Sequence, residues 1–325
     1  MGERDRGEPA IRDAMHRLGV AGEVDAGGLR VLAGGMSGSV VCRFTLDGRD
    51  VVLKRTVAGH RNAVLLARAR REVWFYRELA GRVPVRVPAM IGSAIDPEAG
   101  TLLLLAACDP APPPESWPDA GYAEVARDLG RFHAAMRGVP LPAWMPSASA
   151  TTPGQRRDAA ESWRTFVETT RLIPDGLHRR MEETIARVAE LDAAIPAGPA
   201  TLCHGDFHAG NLLRDADGRW VWADWQDSRI GPGVDDLAFL WERAFSAVEA
   251  RLPPFDAMVE AYWAGLAEAG GPGMDRVAFG RALAWSELRG WLIAWPPYLG
   301  YLSRAQQERV VARIAWRLDR VDGTA

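Results

Sequence analysis

The sequence contains almost no lysine. It has 39 basic residues in 325, and all of them are arginines except Lys54. An ammonium is a compact point charge and a guanidinium is a wide planar fork, so the two are not exchangeable at a tight site. Lys54 is therefore a candidate for a position that arginine cannot fill. The alternative is that one surface lysine has survived by chance in an arginine-biased sequence.

Cysteine and excess positive charge are scarce as well. Cys42, Cys108 and Cys203 lie far apart and form no Cys-x-x-Cys pair, which makes a disulfide framework or a zinc ribbon unlikely. The formal net charge is −3, whereas general nucleic-acid binding normally requires a basic excess. We therefore expect no nucleic-acid partner.

Long apolar segments are missing too. No run approaches the roughly 18 apolar residues of a membrane-spanning helix, and the first residues are charged without an apolar core. The apolar fraction of 48% and the charged fraction of 25% are those of an ordinary globular protein. From these features we expect a cytoplasmic protein with no membrane partner, present as a monomer or homodimer. Its length of 325 residues suggests about two domains.

The N-terminal part is predicted to be rich in strands. A turn rich in glycine and serine, 33–39, precedes a hairpin closed by Asp47-Gly48, and Lys54 ends the returning strand. Glycines in such a turn would let backbone N–H groups approach phosphate oxygens, with serine hydroxyls as further donors. The candidates are Gly35, Ser37, Gly38 and Ser39. A Walker A loop is excluded because no Gly-Lys-Ser/Thr follows, and a plain hairpin turn is the alternative.

A helix is predicted next, over residues 62–79, where apolar residues recur at three- and four-residue steps. Glu72 lies beside the apolar face and could reach the Lys54 ammonium, or it could pair with neighbouring arginines on a solvated face. Two more strands, 89–94 and 101–106, complete a predicted five-stranded sheet. The proline-rich stretch 110–118 is predicted to be a linker.

Helices dominate beyond this point, since apolar periodicity predicts them over 122–136, 154–171, 176–194, 234–250, 255–269, 275–293 and 304–319. Ser303 and Gln306 are spaced for a capping box at the start of the last one. The fold class is therefore α+β, with a small N-terminal antiparallel five-stranded sheet plus helix and a larger, mainly helical C-terminal part. We place the boundary between residues 1–108 and 109–325.

Polar residues concentrate in one stretch, 202–230, between short apolar runs that predict strands. Its carboxylate and amide oxygens suit Mg²⁺ and a proton-accepting role, and phosphoryl transfer requires both. Zinc ligation by Cys203, His204 and His208 is a weaker alternative, because no further ligand cluster stands at a recognisable spacing.

This stretch carries the most specific motif, His204-Gly205-Asp206-Phe207-His208-Ala209-Gly210-Asn211. Asp224 stands thirteen residues after Asn211, and Asp235-Asp236-Leu237-Ala238 follows. With the preceding glycine-rich turn, strand lysine and helix glutamate, this order resembles the aminoglycoside phosphotransferase and choline kinase family of small-molecule kinases. The resemblance covers nearly the whole chain and implies a bilobal protein-kinase-like fold with ATP or GTP as co-substrate and Mg²⁺ as cofactor.

The resemblance also implies a role for individual residues. Asp206 would be the catalytic aspartate that takes the proton of the acceptor hydroxyl, while Asn211 and Asp224 would coordinate Mg²⁺. Lys54 would contact the α- and β-phosphates and Glu72 would hold Lys54. His204 and Asp236 would brace the loop.

The family pattern is broken at the end of the fifth strand. Members typically carry an acidic residue there, whereas this chain reads Ala106-Ala107-Cys108. Ala107 is thus the candidate neighbour of the purine, and the choice between ATP and GTP stays open.

The acceptor is expected to be a hydroxylated small molecule. Candidate residues that would contact it are Asp227, Glu287, Trp291 and Trp295, the last three at four-residue steps. Aromatic walls suit sugar rings or nucleoside-like ligands, although packing of these tryptophans in the core is an equal alternative. We expect phosphate transfer to an antibiotic or related metabolite, with self-resistance as one role. The alternatives are a housekeeping kinase of a sugar, choline-like amine or amino alcohol, and a non-catalytic nucleotide-binding scaffold.

Overall fold

The computed structural model describes residues 3–32, 39–58, 63–247 and 252–322. The chain forms two compact units, each assembled from separate segments. Residues 1–111, 142–145 and 210–228 form the first unit, and residues 112–141, 146–209 and 229–325 form the second.

Ten helices and ten strands are named here in chain order. The helices are α1 (Glu3–Leu18), α2 (Ala63–Glu78), α3 (Asp119–Met136), α4 (Pro153–Thr170), α5 (Asp175–Ala186), α6 (Val188–Ala194), α7 (Val234–Ala247), α8 (Phe255–Glu268), α9 (Arg276–Arg289) and α10 (Arg304–Asp322). The strands are β1 (Val24–Val31), β2 (Val40–Leu46), β3 (Arg49–Thr56), β4 (Met90–Asp96), β5 (Gly100–Ala106), β6 (Asp109–Pro110), β7 (Ala200–Cys203), β8 (Leu212–Arg214), β9 (Trp220–Trp222) and β10 (Arg229–Pro232).

The first unit is built on an antiparallel sheet with strand order β1-β2-β3-β5-β4. The predicted hairpin turn is confirmed, since Asp47 and Gly48 both have positive φ, as a two-residue turn of this kind requires. On β3, Val51 and Leu53 point into a core shared with α1, and Lys54 takes the opposite face because successive side chains alternate. The predicted α+β class with a five-stranded antiparallel sheet is confirmed.

A smaller three-stranded sheet, β6-β8-β9, completes the first unit. Strands β8 and β9 form a hairpin in which Leu212 lies opposite Trp222. Asp215 closes it by accepting hydrogen bonds from the backbone N–H groups of Asp217 (3.0 Å) and Arg219 (2.9 Å). The hairpin places the residues that follow β9 beside those that precede β8.

The second unit is mainly helical and contains the β7-β10 pair. Helices α3 and α8 approach closely at two glycines. A Cβ on Gly130 would lie 2.2 Å from the carbonyl oxygen of Tyr262, and one on Gly265 would lie 2.1 Å from that of Arg127. No larger residue fits at either position without a shift of the helices.

Most predicted helices are found within a few residues of their expected ends, but two expectations need correction. The helix predicted over 176–194 is two helices, α5 and α6, because Arg187 leaves the helical conformation without any glycine or proline to signal the break. The stretch predicted to be a linker, 110–118, begins with the last residue of β6 and includes a buried residue, Trp117, whose indole N–H donates to the carbonyl of Pro112 (2.8 Å). The capping box is confirmed, since Ser303 N–H donates to Gln306 Oε1 (2.7 Å).

None of the helices in the described ranges is long and apolar enough to cross a membrane.

Candidate active site

In the first unit, Lys54 lies between two carboxylates. Its Nζ donates to Glu72 Oε1 at 2.7 Å and to Asp224 Oδ1 at 3.1 Å. Strand β3 supplies the lysine, α2 supplies the glutamate, and the aspartate comes two residues after β9. The sole lysine of the chain and the predicted helix glutamate are therefore in contact, as expected from the sequence.

The charges of this cluster do not balance. Burial disfavours the charged form of Lys54, but the carboxylates of Glu72 and Asp224 outweigh it and raise the pKa of the lysine. Burial raises the pKa of Glu72, and the Lys54 ammonium opposes that rise. One ammonium faces two carboxylates, so an additional cation would be attracted here.

The backbone of Asp224 is left-handed, with φ at 66°, which is uncommon for a residue other than glycine. The turn after it, Trp225–Asp227, is held by α2. The rings of Phe75 and Trp225 stack with centroids 4.1 Å apart, and Arg71 Nη1 donates to the carbonyl of Gln226 at 2.9 Å. Such contacts can stabilise a strained conformation that the isolated residue would avoid.

Asn211 lies at the same open end of the β8-β9 hairpin as Asp224. Its carbonyl accepts a hydrogen bond from Ala223 N–H at 2.9 Å, so the backbones of Asn211 and the residue before Asp224 are neighbours. Carboxylate and amide oxygens are ligands that Mg²⁺ accepts. The donor chemistry of this pair therefore fits a hard divalent cation.

In the second unit, Asp236 fixes the loop that carries Asp206. Its carboxylate accepts hydrogen bonds from the backbone N–H groups of His204 (2.6 Å) and Gly205 (2.9 Å). Asp236 is buried. Burial alone would raise its pKa, but the hydrogen bond from His133 and the nearby guanidinium of Arg229 lower it. The Asp206 side chain itself remains 25% exposed, so it is accessible to a reactant.

The structure does not leave the proposed acceptor-binding tryptophans open to a ligand. Trp291 is completely buried and Trp295 is 4% exposed. The indole N–H of Trp295 donates to Glu242 Oε2 at 2.6 Å. Their burial favours the alternative, that these tryptophans pack in the core.

The two acidic candidates, Glu287 and Asp227, already form ion pairs with arginines. Glu287 is fully buried, and Arg313 Nε (2.6 Å) and Arg317 Nε (2.6 Å) both donate to it. Asp227 forms an ion pair with Arg68 of α2. Neither carboxylate is free to receive an ammonium or hydroxyl of an acceptor without breaking these pairs.

Of the predicted phosphate-binding turn, Gly35, Ser37 and Gly38 lie outside the described residues. The Ser39 hydroxyl lies 2.6 Å from that of Thr56. Ala107, the candidate purine neighbour, donates its backbone N–H to the carbonyl of Asp50 at 3.0 Å.

The zinc alternative gains no support. Burial raises the pKa of Cys203 well above its ordinary value, which disfavours the thiolate that zinc requires. Ligand atoms of Cys203, His133 and Asp236 do lie within 4.8 Å of one another. However, both Asp236 oxygens and both His133 nitrogens already have hydrogen-bond partners in the protein.

Sequence reasoning missed several residues around the site. Arg68 had a usable signal, because it stands one helical turn before Glu72 on the same helix. His133 lies in the helix predicted over 122–136, but its contact with Tyr262 joins residues 129 positions apart and had no signal in the sequence.

The sheet with its lysine–glutamate pair, followed by a helical unit with the aspartate loop, defines the class of protein as a kinase-like phosphotransferase. Residues 28–279 match the profile of the phosphotransferase enzyme family, and the chain belongs to that family. None of the curated proteins matches the sequence.

Solved structures share the fold over almost the whole chain. Macrolide 2'-phosphotransferase MphH from Brachybacterium faecium is 22% identical, with 94% of this chain and 97% of that chain covered and a TM-score of 0.60. Amicoumacin kinase hAmiN is 13% identical, with coverage of 98% and 96% and a TM-score of 0.63. Choline kinase from Cryptosporidium parvum Iowa II is 12% identical, with coverage of 92% and 89% and a TM-score of 0.60. The predicted family and protein-kinase-like fold are therefore confirmed.

Proposed function

We propose that the protein transfers the γ-phosphate of ATP or GTP to a hydroxyl group of a small molecule, with Mg²⁺ as cofactor. The observation that carries this proposal is the ammonium of Lys54 held between Glu72 and Asp224. Among the proteins of similar fold, an aminoglycoside 2'-phosphotransferase was solved with GDP and the amicoumacin kinase with AMP-PNP and Ca²⁺. These complexes support a nucleotide and a divalent cation as partners.

In this proposal the four site residues of the first unit bind the nucleotide and its metal ion. Lys54 contacts the α- and β-phosphates, and Glu72 keeps its ammonium in place. Asn211 and Asp224 hold Mg²⁺, which neutralises charge on the phosphate oxygens when bound. Since phosphoryl transfer depends mostly on positioning and charge neutralisation, these four residues account for most of what the nucleotide requires.

Asp206 serves the acceptor. Its carboxylate takes the proton of the acceptor hydroxyl as the oxygen attacks the γ-phosphorus, while the bond to the bridging oxygen of the nucleoside diphosphate breaks. The hydrogen bonds from His204 and Gly205 N–H to Asp236 hold the loop in which this carboxylate stands.

For the acceptor we propose a hydroxylated antibiotic or related metabolite, which would make self-resistance one biological role. The macrolide, aminoglycoside and amicoumacin enzymes of similar fold support this choice. A choline kinase and an aminopropanol kinase share the fold about as closely, with TM-scores of 0.60 and 0.59. Phosphorylation of a sugar, choline-like amine or amino alcohol is therefore the second candidate.

A nucleotide-consumption assay tests the proposal. ATP and GTP are each supplied with Mg²⁺ and a panel of aminoglycosides, macrolides, nucleoside and peptide antibiotics, sugars and amino alcohols. Asp206→Ala should abolish the stimulated turnover, whereas Asp217→Ala, which removes a carboxylate from the exposed β8-β9 turn, should keep it. If no acceptor raises turnover above that of Asp206→Ala, the result favours the alternative, a non-catalytic nucleotide-binding scaffold. Undiminished turnover in Asp206→Ala would show that another group is the base.

A further inference from the structure

A chain of hydrogen bonds runs from α8 to the loop of Asp206. The Tyr262 hydroxyl lies 2.9 Å from His133 Nδ1, and His133 Nε2 lies 3.2 Å from Asp236 Oδ2. Asp236 in turn accepts the N–H groups of His204 and Gly205. Tyr262, His133 and Asp236 are all at most 3% exposed. We call these three residues the buried relay.

The hydrogen bonds determine which nitrogen of His133 carries a proton. Asp236 is a carboxylate and only accepts, so Nε2 must donate to it. The buried Tyr262 hydroxyl has no other partner than His133 in the described part of the chain, and its proton is satisfied only if it donates to Nδ1. The arrangement that satisfies every group is thus a neutral imidazole protonated at Nε2. Tyr262 selects the tautomer that directs an N–H at Asp236.

Glycines allow the relay to assemble. A Cβ on Gly233 would lie 2.6 Å from His133 Nδ1 and 2.7 Å from the Tyr262 hydroxyl. A Cβ on Gly130 would likewise lie against the carbonyl oxygen of Tyr262. The two glycines therefore allow α3, α8 and the segment before α7 to lie closer to one another than larger residues at these positions would permit. The three side chains are therefore held in one geometry by packing as well as by hydrogen bonds.

We propose that Tyr262 and His133 are positioning residues for phosphoryl transfer. Tyr262 fixes the tautomer of His133, His133 orients the Asp236 carboxylate, and Asp236 fixes the two amides that precede Asp206. The inference rests on the proposed function, because it assigns a consequence for turnover only if Asp206 is the base. A misplacement of a catalytic group by about 1 Å can cost up to about a hundredfold in rate.

The test compares two buried tyrosines. Tyr262→Phe removes the hydroxyl of the relay. Tyr122→Phe removes the hydroxyl of a tyrosine that is 3% exposed, against 2% for Tyr262; this hydroxyl donates to the carbonyl of Pro114 at 2.9 Å, outside the relay. The probes are the hydrolysis of Mg-ATP and Mg-GTP without added acceptor, where water is the nucleophile, and hydrogen exchange of the His204 and Gly205 amides. Thermal melting checks that both variants fold.

Tyr262→Phe is expected to lower kcat for hydrolysis about tenfold relative to Tyr122→Phe, with KM for the nucleotide unchanged within about twofold. Exchange of the His204 and Gly205 amides should be faster in Tyr262→Phe alone. If either the rate or the amide exchange is the same in the two variants, the relay does not position the loop. Asp206→Ala measured in parallel separates the two proposals. Full hydrolysis by Asp206→Ala would refute Asp206 as the base, whereas equal amide exchange would refute the relay even if Asp206→Ala were inactive.

Discussion

Removal of the Lys54 ammonium should destabilise the folded protein, because two carboxylates would then face each other. Lys54→Met removes the ammonium and leaves Glu72, whose side chain is 5% exposed, facing Asp224 with no cation between them. Both carboxylate oxygens lie within about 3 Å of Nζ. At an effective dielectric constant of about 20, two carboxylates about 5 Å apart repel each other by about 3 kcal/mol. Loss of one partner from a buried ion pair typically costs about 3–5 kcal/mol, which agrees with this value.

The cost should depend on pH in a defined direction. Burial raises the pKa of Glu72, and without the ammonium nothing opposes that rise. A carboxyl group whose pKa is higher in the folded state is tolerated while protonated. It destabilises the fold as the pH rises from its unfolded pKa of about 4.3 towards its folded pKa. In the native protein the pKa of Glu72 is already raised to about 7. The deficit of Lys54→Met relative to the native protein should therefore grow above about pH 7, by up to about 1.4 kcal/mol for each pH unit until the pH reaches the higher folded pKa of the variant.

Urea unfolding at pH 5 and pH 8 measures this deficit against the native protein. The matched control is Lys54→Arg, which keeps the positive charge. Its free energy of unfolding should fall by at most about 1 kcal/mol at either pH. Because the guanidinium fork cannot replace a compact ammonium between these carboxylates, Lys54→Arg should nevertheless lower turnover at least about tenfold. If Lys54→Met is equally destabilised at both pH values, the ammonium does not oppose the rise of the Glu72 pKa.

Three further predictions concern other parts of the molecule. The pKa of Asp236 is lowered in the folded state, so its carboxylate stabilises the protein above about pH 4 and less as the pH falls through the folded pKa. Asp236→Asn should lower the free energy of unfolding in urea by about 2–3 kcal/mol at pH 7 and by clearly less at pH 3. An equal loss at the two pH values would contradict this. Gly130→Ala should lower the melting temperature by several degrees because its Cβ would meet a carbonyl, whereas Gly280→Ala, in an exposed turn of α9 with nothing nearby, should raise it. Chelation of Mg²⁺ should abolish turnover, and full activity in chelator would exclude Asn211 and Asp224 as metal ligands.

Sequence patterns predicted the parts of this structure that depend on local chemistry. Asp47-Gly48 specifies its hairpin turn, and Glu72 could be paired with Lys54 because both flank apolar faces of adjacent elements. The pairing of Asp227 with Arg68 was not predictable, since it joins residues 159 positions apart that meet only when α2 packs on the turn after β9. The late tryptophans were ambiguous for a different reason. A buried helix face and a pocket wall use the same four-residue spacing, and only the packed structure distinguishes them.

The discontinuous first unit has a consequence for the order of events during synthesis. Its five-stranded sheet is encoded before residue 107, but Asp224, which contacts Lys54, and Trp225, which stacks on Phe75, leave the ribosome more than a hundred residues later. Until then Lys54 has only Glu72 as its acidic partner, and the α2 surface that receives Trp225 is uncovered. The apolar ring of Phe75 therefore stays uncovered on the nascent chain while residues 112–141 and 146–209, about half of the second unit, are being made.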